Sequence, residues 1–406
     1  MIVLFILLTI ILELVYFILA PILFVVLRNK PHYERLAIKY PKERIDILVH
    51  AASVGEVNGI KQLLKELLQI NPELKILITT NTKTGRKAAE SIHSSLRAIL
   101  SPLDILHLRA KQLSYSKPKL ILIAETEIWP TLLFCAKIHR IPVIYINARI
   151  SHKSFKSYII FKHFLRWTGS SIKAILTQTD ADRIKFRALF KTTCLKSGNL
   201  KFSVVQKDYN TEVLRTEWGY QITDRIIVLG SSRPGEEELI LNAYESLKQE
   251  FSELKLIIVP RHLDRMNELI TILADRNYSL SSTGEKCNEI HIIDEMGLLL
   301  PAYAISNIAI IGGSFFPFGG HNPLEAAYYS KVIIMGPYYD SCVGTVKKLK
   351  HAQAIVISSI DSIIDNLIDI LTKPNKYQSM GLAARQVIED NKNSLETHLK
   401  EIHKYL

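Results

Sequence analysis

IDILVHAASVGEVNGIKQLLKELL, residues 45–68, passes from an apolar run through a small, sharp turn into an amphipathic stretch. Ile45–His50 reads as a buried strand, with Asp46 the one polar break near its start. Asn58 onward reads as a helix, which leaves Glu56 on the lip between them. The carboxyl ends of strands are where open α/β sheets place their chemistry. A glutamate in a first helical turn also complements the helix dipole, for about 0.3–1 kcal/mol. Both readings of Glu56 stand at this point.

The same strand-to-helix rhythm continues outward. Lys75–Thr79, Leu120–Ala124, Val143–Asn147 and Ala174–Thr177 read as further strands, with helical patterns near Gly59–Leu68, Gly85–Ser94 and Pro130–His139. After a polar, strand-poor interval from Gly198 to Thr223 it resumes. Ile226–Gly230, Leu256–Val259, Ile290–Ile293, Ile308–Ile311 and Val332–Met335 are strand-like. Glu236–Glu250, Leu263–Arg276, Pro323–Ser330 and Gly344–Lys350 are helix-like. Strands alternating with helices imply βαβ units and parallel sheets. The expected fold is α/β, with two Rossmann-like domains facing across a cleft, residues 45–208 and 222–385. The last helix-like stretch is Leu382–Leu406, with residues 386–406 as a separate C-terminal helix for which packing back on the first domain is one option that the sequence leaves open.

The 406 residues carry 51 Lys and Arg against 39 Asp and Glu, a net charge of +12 that favours an anionic partner. Cys135, Cys194, Cys287 and Cys342 are scattered, with no Cys-x-x-Cys, and suit a reducing compartment. Residues 1–27, MIVLFILLTIILELVYFILAPILFVVL, hold one charge, Glu13, over a length that suits a bilayer span. Arg28, Lys30, Arg35, Lys39, Lys42 and Arg44 follow within the linker 28–44 and would hold the C-terminal side in the cytoplasm. Glu13 near mid-membrane would cost about 2.5–3.5 kcal/mol, so a helix lying in the interface is the alternative. From Ile128 to Thr179 there are eight Lys or Arg and no Asp or Glu. Within that interval SFKSYIIFKHFLRW, Ser154–Trp167, interleaves aromatic and basic residues. A headgroup-facing helix and an ordinary core helix with a solvated basic face fit it equally.

Several stretches have the composition of a site. IGGSFFPFGGHNPLEAA, Ile311–Ala327, ends a strand at glycines and opens a helix with Asn322, Pro323, Leu324 and Glu325. Backbone N–H groups there suit a nucleotide phosphate, and Glu325 can accept from ribose hydroxyls. No G-x-G-x-x-G follows the first strand and no Walker Gly-Lys-Ser/Thr is present, so nicotinamide oxidoreductases and P-loop kinases lack their fingerprints. VPRHLDR places Pro260 and Arg261 at a strand end, where Arg can fork onto a phosphate or carboxylate. AETEIWP puts Glu125 and Glu127 directly after a buried strand, close enough to shift each other's pKa. GNLKF puts Lys201 near the linker. Asp180-Ala181-Asp182 has an Asp-x-Asp metal pattern but reads as the start of a surface helix after Thr179.

With these pieces in order, the chain resembles the 3-deoxy-D-manno-octulosonic acid (Kdo) transferases of lipopolysaccharide assembly. HAASVGE, ETEIWP, INARIS (Ile146–Ser151), SGNLKF, VPRH, DEMGLL (Asp294–Leu299) and GGHNPLEAA appear in the family's order behind an apolar N-terminus. The resemblance implies a GT-B glycosyltransferase that moves Kdo with inversion from CMP-Kdo to lipid A or its tetraacyl precursor, lipid IVA. It implies Glu56 as proton acceptor and Glu125 and Lys201 as transition-state stabilisers. It assigns CMP contacts to Pro260, Arg261, Met296, Gly297, Leu298, Asn322, Pro323, Leu324 and Glu325. It implies no cofactor, no metal and no nucleic-acid partner, and a place on the cytoplasmic face of the bacterial inner membrane. One position departs: where the family commonly has histidine before a Gly-Glu pair, Arg233 and Pro234 precede Gly235 and Glu236. An arginine there can bind an anion but cannot exchange protons near neutral pH. Two other readings are open, a membrane-anchored nucleotide-binding scaffold without catalysis and a GT-B transferase of another sugar nucleotide.

Overall fold

The computed structural model describes residues 2–27, 31–37, 40–203, 207–273, 276–286 and 289–406. Arg28, Lys30, Lys39 and Cys287 fall outside these. The chain divides into two units, Met1–Ser203 with Asn391–Leu406, and Val204–Asp390.

The first unit holds a parallel sheet of β1 (Ile47–His50), β2 (Ile76–Thr80), β3 (Arg97–Leu100), β4 (Leu120–Ala124), β5 (Val143–Ala148), β6 (Ile172–Thr177) and β7 (Thr193–Lys196). Their order is β3-β2-β1-β4-β5-β6-β7. The second unit repeats the plan with β8 (Arg225–Ser232), β9 (Leu254–Pro260), β10 (Tyr278–Leu280), β11 (Ile290–Ile292), β12 (Ile308–Ile311), β13 (Val332–Met335) and β14 (Val356–Ile357). The order there is β10-β11-β9-β8-β12-β13-β14, again parallel. In the first sheet the chain winds outward through β1, β2 and β3, then returns to the centre and winds out on the other side; in the second it runs from β8 and β9 to the edge strand β10, comes back to place β11 between β10 and β9, and then winds out on the other side from β12. The reversal falls between β1 and β4 in one unit and between β8 and β12 in the other. Crevices at the carboxyl ends of strands on either side of such a reversal are where this architecture binds ligands.

Packing on both faces explains why the central strands are so apolar. Ile47 and Val49 face one layer with Ile60, Leu63, Leu64 and Leu67 of the Val54–Ile70 helix, while Leu48 faces the other with Tyr145 and Phe186. The four strands that the sequence pattern does not announce, β3, β7, β10 and β14, are the outer strands of the two sheets. An edge strand is covered less completely and tolerates polar residues such as the exposed Arg97, Thr193 and Lys196.

Three expected helices differ in extent. The stretch Leu263–Arg276 is a single 3-10 turn, Leu263–Arg265, followed by Met266–Ile272. Ser154–Trp167 is broken into His152–Ile159 and Lys162–Thr168. Phe155, Tyr158, Ile159 and Phe164 pack against the core, and Ile160 and Phe161 at the break are exposed. The C-terminal stretch also breaks, into Pro374–Glu389 and Ser394–His403. The second piece joins the first unit, where Leu395 and Ile402 enter the cluster built on the Val54–Ile70 helix.

Residues expected to span a bilayer form the helix Ile2–Leu27. Among the described residues no helix is long and apolar enough to cross a membrane. The charge that sat awkwardly in the spanning reading is satisfied by protein. Glu13 accepts the backbone N–H of His107 at 2.8 Å and pairs with its imidazole, in the first turn of the Leu106–Ser116 helix. Tyr16 and Ala20 extend this contact along one stripe. Ile11, Leu14, Ile18 and Ile22 remain exposed.

Candidate active site

The Val54–Ile70 helix begins four residues earlier than its pattern suggests, so Glu56 lies in its first turn. Ser53 is the N-cap, and its Oγ accepts the Glu56 N–H. The Glu56 carboxylate turns back to accept the Ala52 N–H at 2.7 Å and the Ser53 hydroxyl at 3.3 Å. This is a variant of the capping box in which the carboxylate takes the N–H of the residue before the N-cap. The cap does not consume the group chemically. Burial raises the Glu56 pKa to about 7, the Ala52 N–H opposes the rise, and the charges of Glu127 and Glu125 add to it. A carboxylate titrating near neutrality, with lone pairs to spare, suits a general base.

Glu125 follows β4 directly, with φ +54°. A non-glycine residue held there stores strain of about 1–3 kcal/mol, a cost that clusters at functional sites. Its nearly buried carboxylate takes Arg149 Nε at 2.6 Å on one oxygen and Lys201 Nζ at 3.4 Å on the other. Glu127 turns elsewhere, to Trp129 Nε1 at 2.9 Å and His50 Nε2 at 3.7 Å. His50 holds its pKa below the usual carboxylate range. The two acids expected to form a pair therefore serve different partners.

Lys201 reaches this cluster through a relay of backbone contacts. It lies in the 3-10 turn Leu200–Phe202, where Asn199 Oδ1 accepts its N–H at 3.0 Å. Asn147 Oδ1, at the end of β5, accepts the Leu200 N–H at 3.1 Å. Asn147 also has positive φ, +50°, and donates its own N–H to His398 Nε2 at 3.0 Å. The imidazole is buried and neutral, its pKa lowered by burial to about 4, with Nδ1–H directed to the Ser394 carbonyl.

In the second unit the expected donor-binding residues gather at the carboxyl ends of adjacent strands. Pro260 ends β9, and Arg261 donates its N–H to the Ser232 carbonyl of β8 at 3.1 Å. Met296, Gly297 and Leu298 precede the Leu299–Ile305 helix beyond β11; Met296 is exposed and Gly297 has φ +93°. Asn322–Glu325 follow the loop after β12. Here the helix is only Leu324–Tyr328 with Pro323 as its N-cap, too short for a developed dipole. The loop's own amides are committed as well. Glu236 Oε2 accepts the Gly313 N–H at 2.7 Å, and Oε1 accepts those of Ser314 and Phe315 at 2.9 and 3.0 Å. The start of the glycine-rich segment is thus tied by a buried carboxylate. Further along, burial raises the Glu325 pKa, and burial with the positive charge of Arg261 and Arg233 lowers that of His321 to about 4. Arg233 stacks on Phe318 at 5.0 Å.

Asp180 and Asp182 hold structure. Thr179 caps their helix, while Asp182 accepts the Ile150 N–H at 2.9 Å and the Thr179 hydroxyl at 2.5 Å.

The sequence profile of the family described as "3-Deoxy-D-manno-octulosonic-acid transferase (kdotransferase)" matches residues 30–204. A Rickettsia typhi protein named 3-deoxy-D-manno-octulosonic acid transferase is 30% identical over 391 residues, 93% of this chain and 84% of that one. A Haemophilus influenzae protein of the same name is 31% identical over 374 residues, 89% of this chain and 87% of that one. The chain belongs to the Kdo transferase family. Among solved structures, the C-terminal CMP-Kdo binding domain of WaaA from Acinetobacter baumannii aligns with 44% of this chain and 95% of its own. The identity there is 26% and the TM-score 0.42.

For a Kdo transferase, the residues that sequence reasoning passed over are those whose partners lie far away in sequence. Arg149 lies inside the INARIS motif but shows nothing in sequence that would pair it with Glu125. Glu236 reads as one of three acids opening a helix, and His398 as one histidine near the end of the chain. Positive charge after a strand was the available signal for Arg149.

Proposed function

We propose that this Kdo transferase moves Kdo with inversion from CMP-Kdo to lipid A or its tetraacyl precursor, using Glu56 as the base. The acceptor hydroxyl attacks the anomeric carbon on the face opposite CMP. Its proton passes to Glu56, and the anomeric C–O bond breaks with its electron pair leaving on the CMP phosphate. The observation that carries this reading is the Glu56 carboxylate, fixed by Ala52 N–H at 2.7 Å and titrating at about 7. Such a base is worth about 10²–10⁴-fold. Lys201 and Arg149 balance Glu125 and supply positive charge beside the reacting groups. Arg261, Asn322 and Glu325 are the proposed side-chain contacts to CMP, with Pro260, Pro323, Leu324 and the Met296–Leu298 turn forming the surrounding walls. The helix Ile2–Leu27 lies in the inner-membrane interface, with Glu13 on the protein side and Ile11, Leu14, Ile18 and Ile22 toward lipid, the catalytic units being cytoplasmic.

The test is to incubate the purified chain with CMP-Kdo and a defined lipid A precursor and to weigh the product. CMP release that depends on acceptor, with one or more Kdo masses added, is expected. Binding of CMP-Kdo without any transfer would reject the reading.

A further inference from the structure

A cavity of about 430 Å³ opens beside Glu125 and is lined by Thr126, Arg149, Ser151, Ser154, Gln178 and other residues of the first unit. Arg149 decides its chemistry. One nitrogen, Nε, is committed to Glu125 at 2.6 Å, while the side chain is 59% exposed. A guanidinium has five donors in a planar fork, and its two terminal nitrogens match two oxygens of a phosphate. Those terminal nitrogens have no partner among the described residues. Asp182 also borders the cavity, but its carboxylate is buried and spent on Ile150 N–H and the Thr179 hydroxyl. Gln178 is fixed by its amide to the Asn147 carbonyl at 3.0 Å, and Ser151 and Ser154 share a hydroxyl contact at 2.9 Å.

The surroundings favour one occupant. The cavity adjoins the start of the His152–Ile159 helix, inside the interval of eight cations and no acids, and this helix leads to exposed Ile160 and Phe161. Charge followed by an apolar tip suits a phosphorylated sugar that carries acyl chains. We propose that this cavity seats a phosphate group of the lipid-borne acceptor, gripped by the terminal nitrogens of Arg149 while Nε stays on Glu125. The inference rests on the acceptor assigned above. It makes Arg149 a substrate contact that couples acceptor phosphate to the Glu125–Lys201 pair.

The experiment compares a precursor carrying both phosphates with precursors from which either one has been removed, using wild type, Arg149→Gln and Arg149→Lys. For wild type, removal of one particular phosphate should raise KM about tenfold or more. Arg149→Gln should raise KM similarly on the intact acceptor and should barely respond to that phosphate. Arg149→Lys, which keeps charge without the fork, should fall between them. Melting curves confirm folding of the variants, and acceptor affinity in a Glu56→Gln background reads binding without turnover. If Arg149→Gln lowers kcat equally on every acceptor and leaves KM and affinity unchanged, Arg149 only positions Glu125 and the subsite is wrong. If wild type transfers Kdo to every acceptor with the same KM, the subsite alone falls. If it transfers to none, the acceptor assignment falls with it.

Discussion

Gly59 provides the space on the Val54–Ile70 helix that the Lys201 side chain occupies: a Cβ built on Gly59 would lie 2.9 Å from Lys201 Cε. It would also meet Asn147 Nδ2 at 3.4 Å. The small residue three places beyond Glu56 therefore lets the lysine approach Glu125.

Gly59→Ala separates stability from activity. Alanine is the better helix former, by about 0.8–1 kcal/mol, and this gain offsets the local crowding. The lysine can swing its flexible end aside, so the fold should survive with a melting temperature within a few degrees of wild type. Moving Nζ away from Glu125 removes the positive charge that the proposed mechanism places beside the reacting groups, and on that proposal kcat should fall about tenfold or more. Steady-state kinetics and a thermal melt on the same preparation check both halves. Unchanged kcat would dissociate Lys201 from the chemistry.

Glu56 gives a pH signature. Only the ionised carboxylate accepts a proton, and its pKa is raised to about 7. The rate of transfer should therefore climb with pH from 5.5 and level off above about 7.5. Glu56→Gln should lose most of the turnover and that pH dependence while still binding CMP. The same shift fixes the sign of a stability effect. A carboxyl with a raised folded-state pKa binds more protons when folded than when unfolded between about 4.5 and 7, so its contribution to stability declines as pH rises through that window. At pH 8 the glutamine variant should melt no lower than wild type, because its amide oxygen can still accept the Ala52 N–H. A marked loss of stability at pH 8 would show that the carboxylate's main service is to the helix cap.

Much of this was legible in the sequence, and what was not has a common physical cause. Central strands such as Leu120–Ala124 and Ile308–Ile311 are buried on both faces, so their apolar runs mark them to the residue. The outer strands are less completely covered, and β3 and β7 carry charged or polar residues that erase the run. Glu56 looked ambiguous because it answers both descriptions: it closes a capping box and also has the pKa of a base. Glu236 went unread for a different reason. Three successive acids at a helix start suggest a surface dipole effect, but the first is fully buried and holds a loop some 77 residues away in sequence. Nothing local encodes such a partner.

Glu236→Ala tests that long-range tie. Removing the carboxylate leaves the N–H groups of Gly313, Ser314 and Phe315 without their acceptor, along with that of Arg233 at 3.0 Å. Stranding buried donors costs about 1–3 kcal/mol each before relaxation, and water entering the gap will recover part of it. A loss of about 3–5 kcal/mol is expected, with CMP affinity weakened because the loop leading to Asn322 and Glu325 loses its anchor. Glu236→Gln keeps one acceptor oxygen and should be intermediate. Urea unfolding with CMP titration checks both; full stability in the alanine variant would remove Glu236 as the anchor.

His398 offers the most remote handle on the site. Its Nε2 accepts the Asn147 N–H, Asn147 holds Leu200, and Lys201 follows Leu200 in the same turn. His398→Ala leaves the buried Asn147 N–H unpaired, at about 1–3 kcal/mol, and frees a residue held at positive φ. Stability and kcat should therefore fall together although His398 touches no substrate. His398→Gln, whose amide oxygen can accept the same bond, should restore part of both. Acid should reproduce the alanine effect. The folded imidazole is held neutral to about pH 4, whereas the unfolded one titrates near 6.5, so the unfolded state binds more protons between these values. This residue's share of stability is intact above about pH 6.5 and is lost as pH falls toward 4. A wild-type melting temperature that declines across this window, beside a shallower decline for His398→Ala, is the expected pair of curves. Parallel curves would mean that the imidazole is not the group responsible.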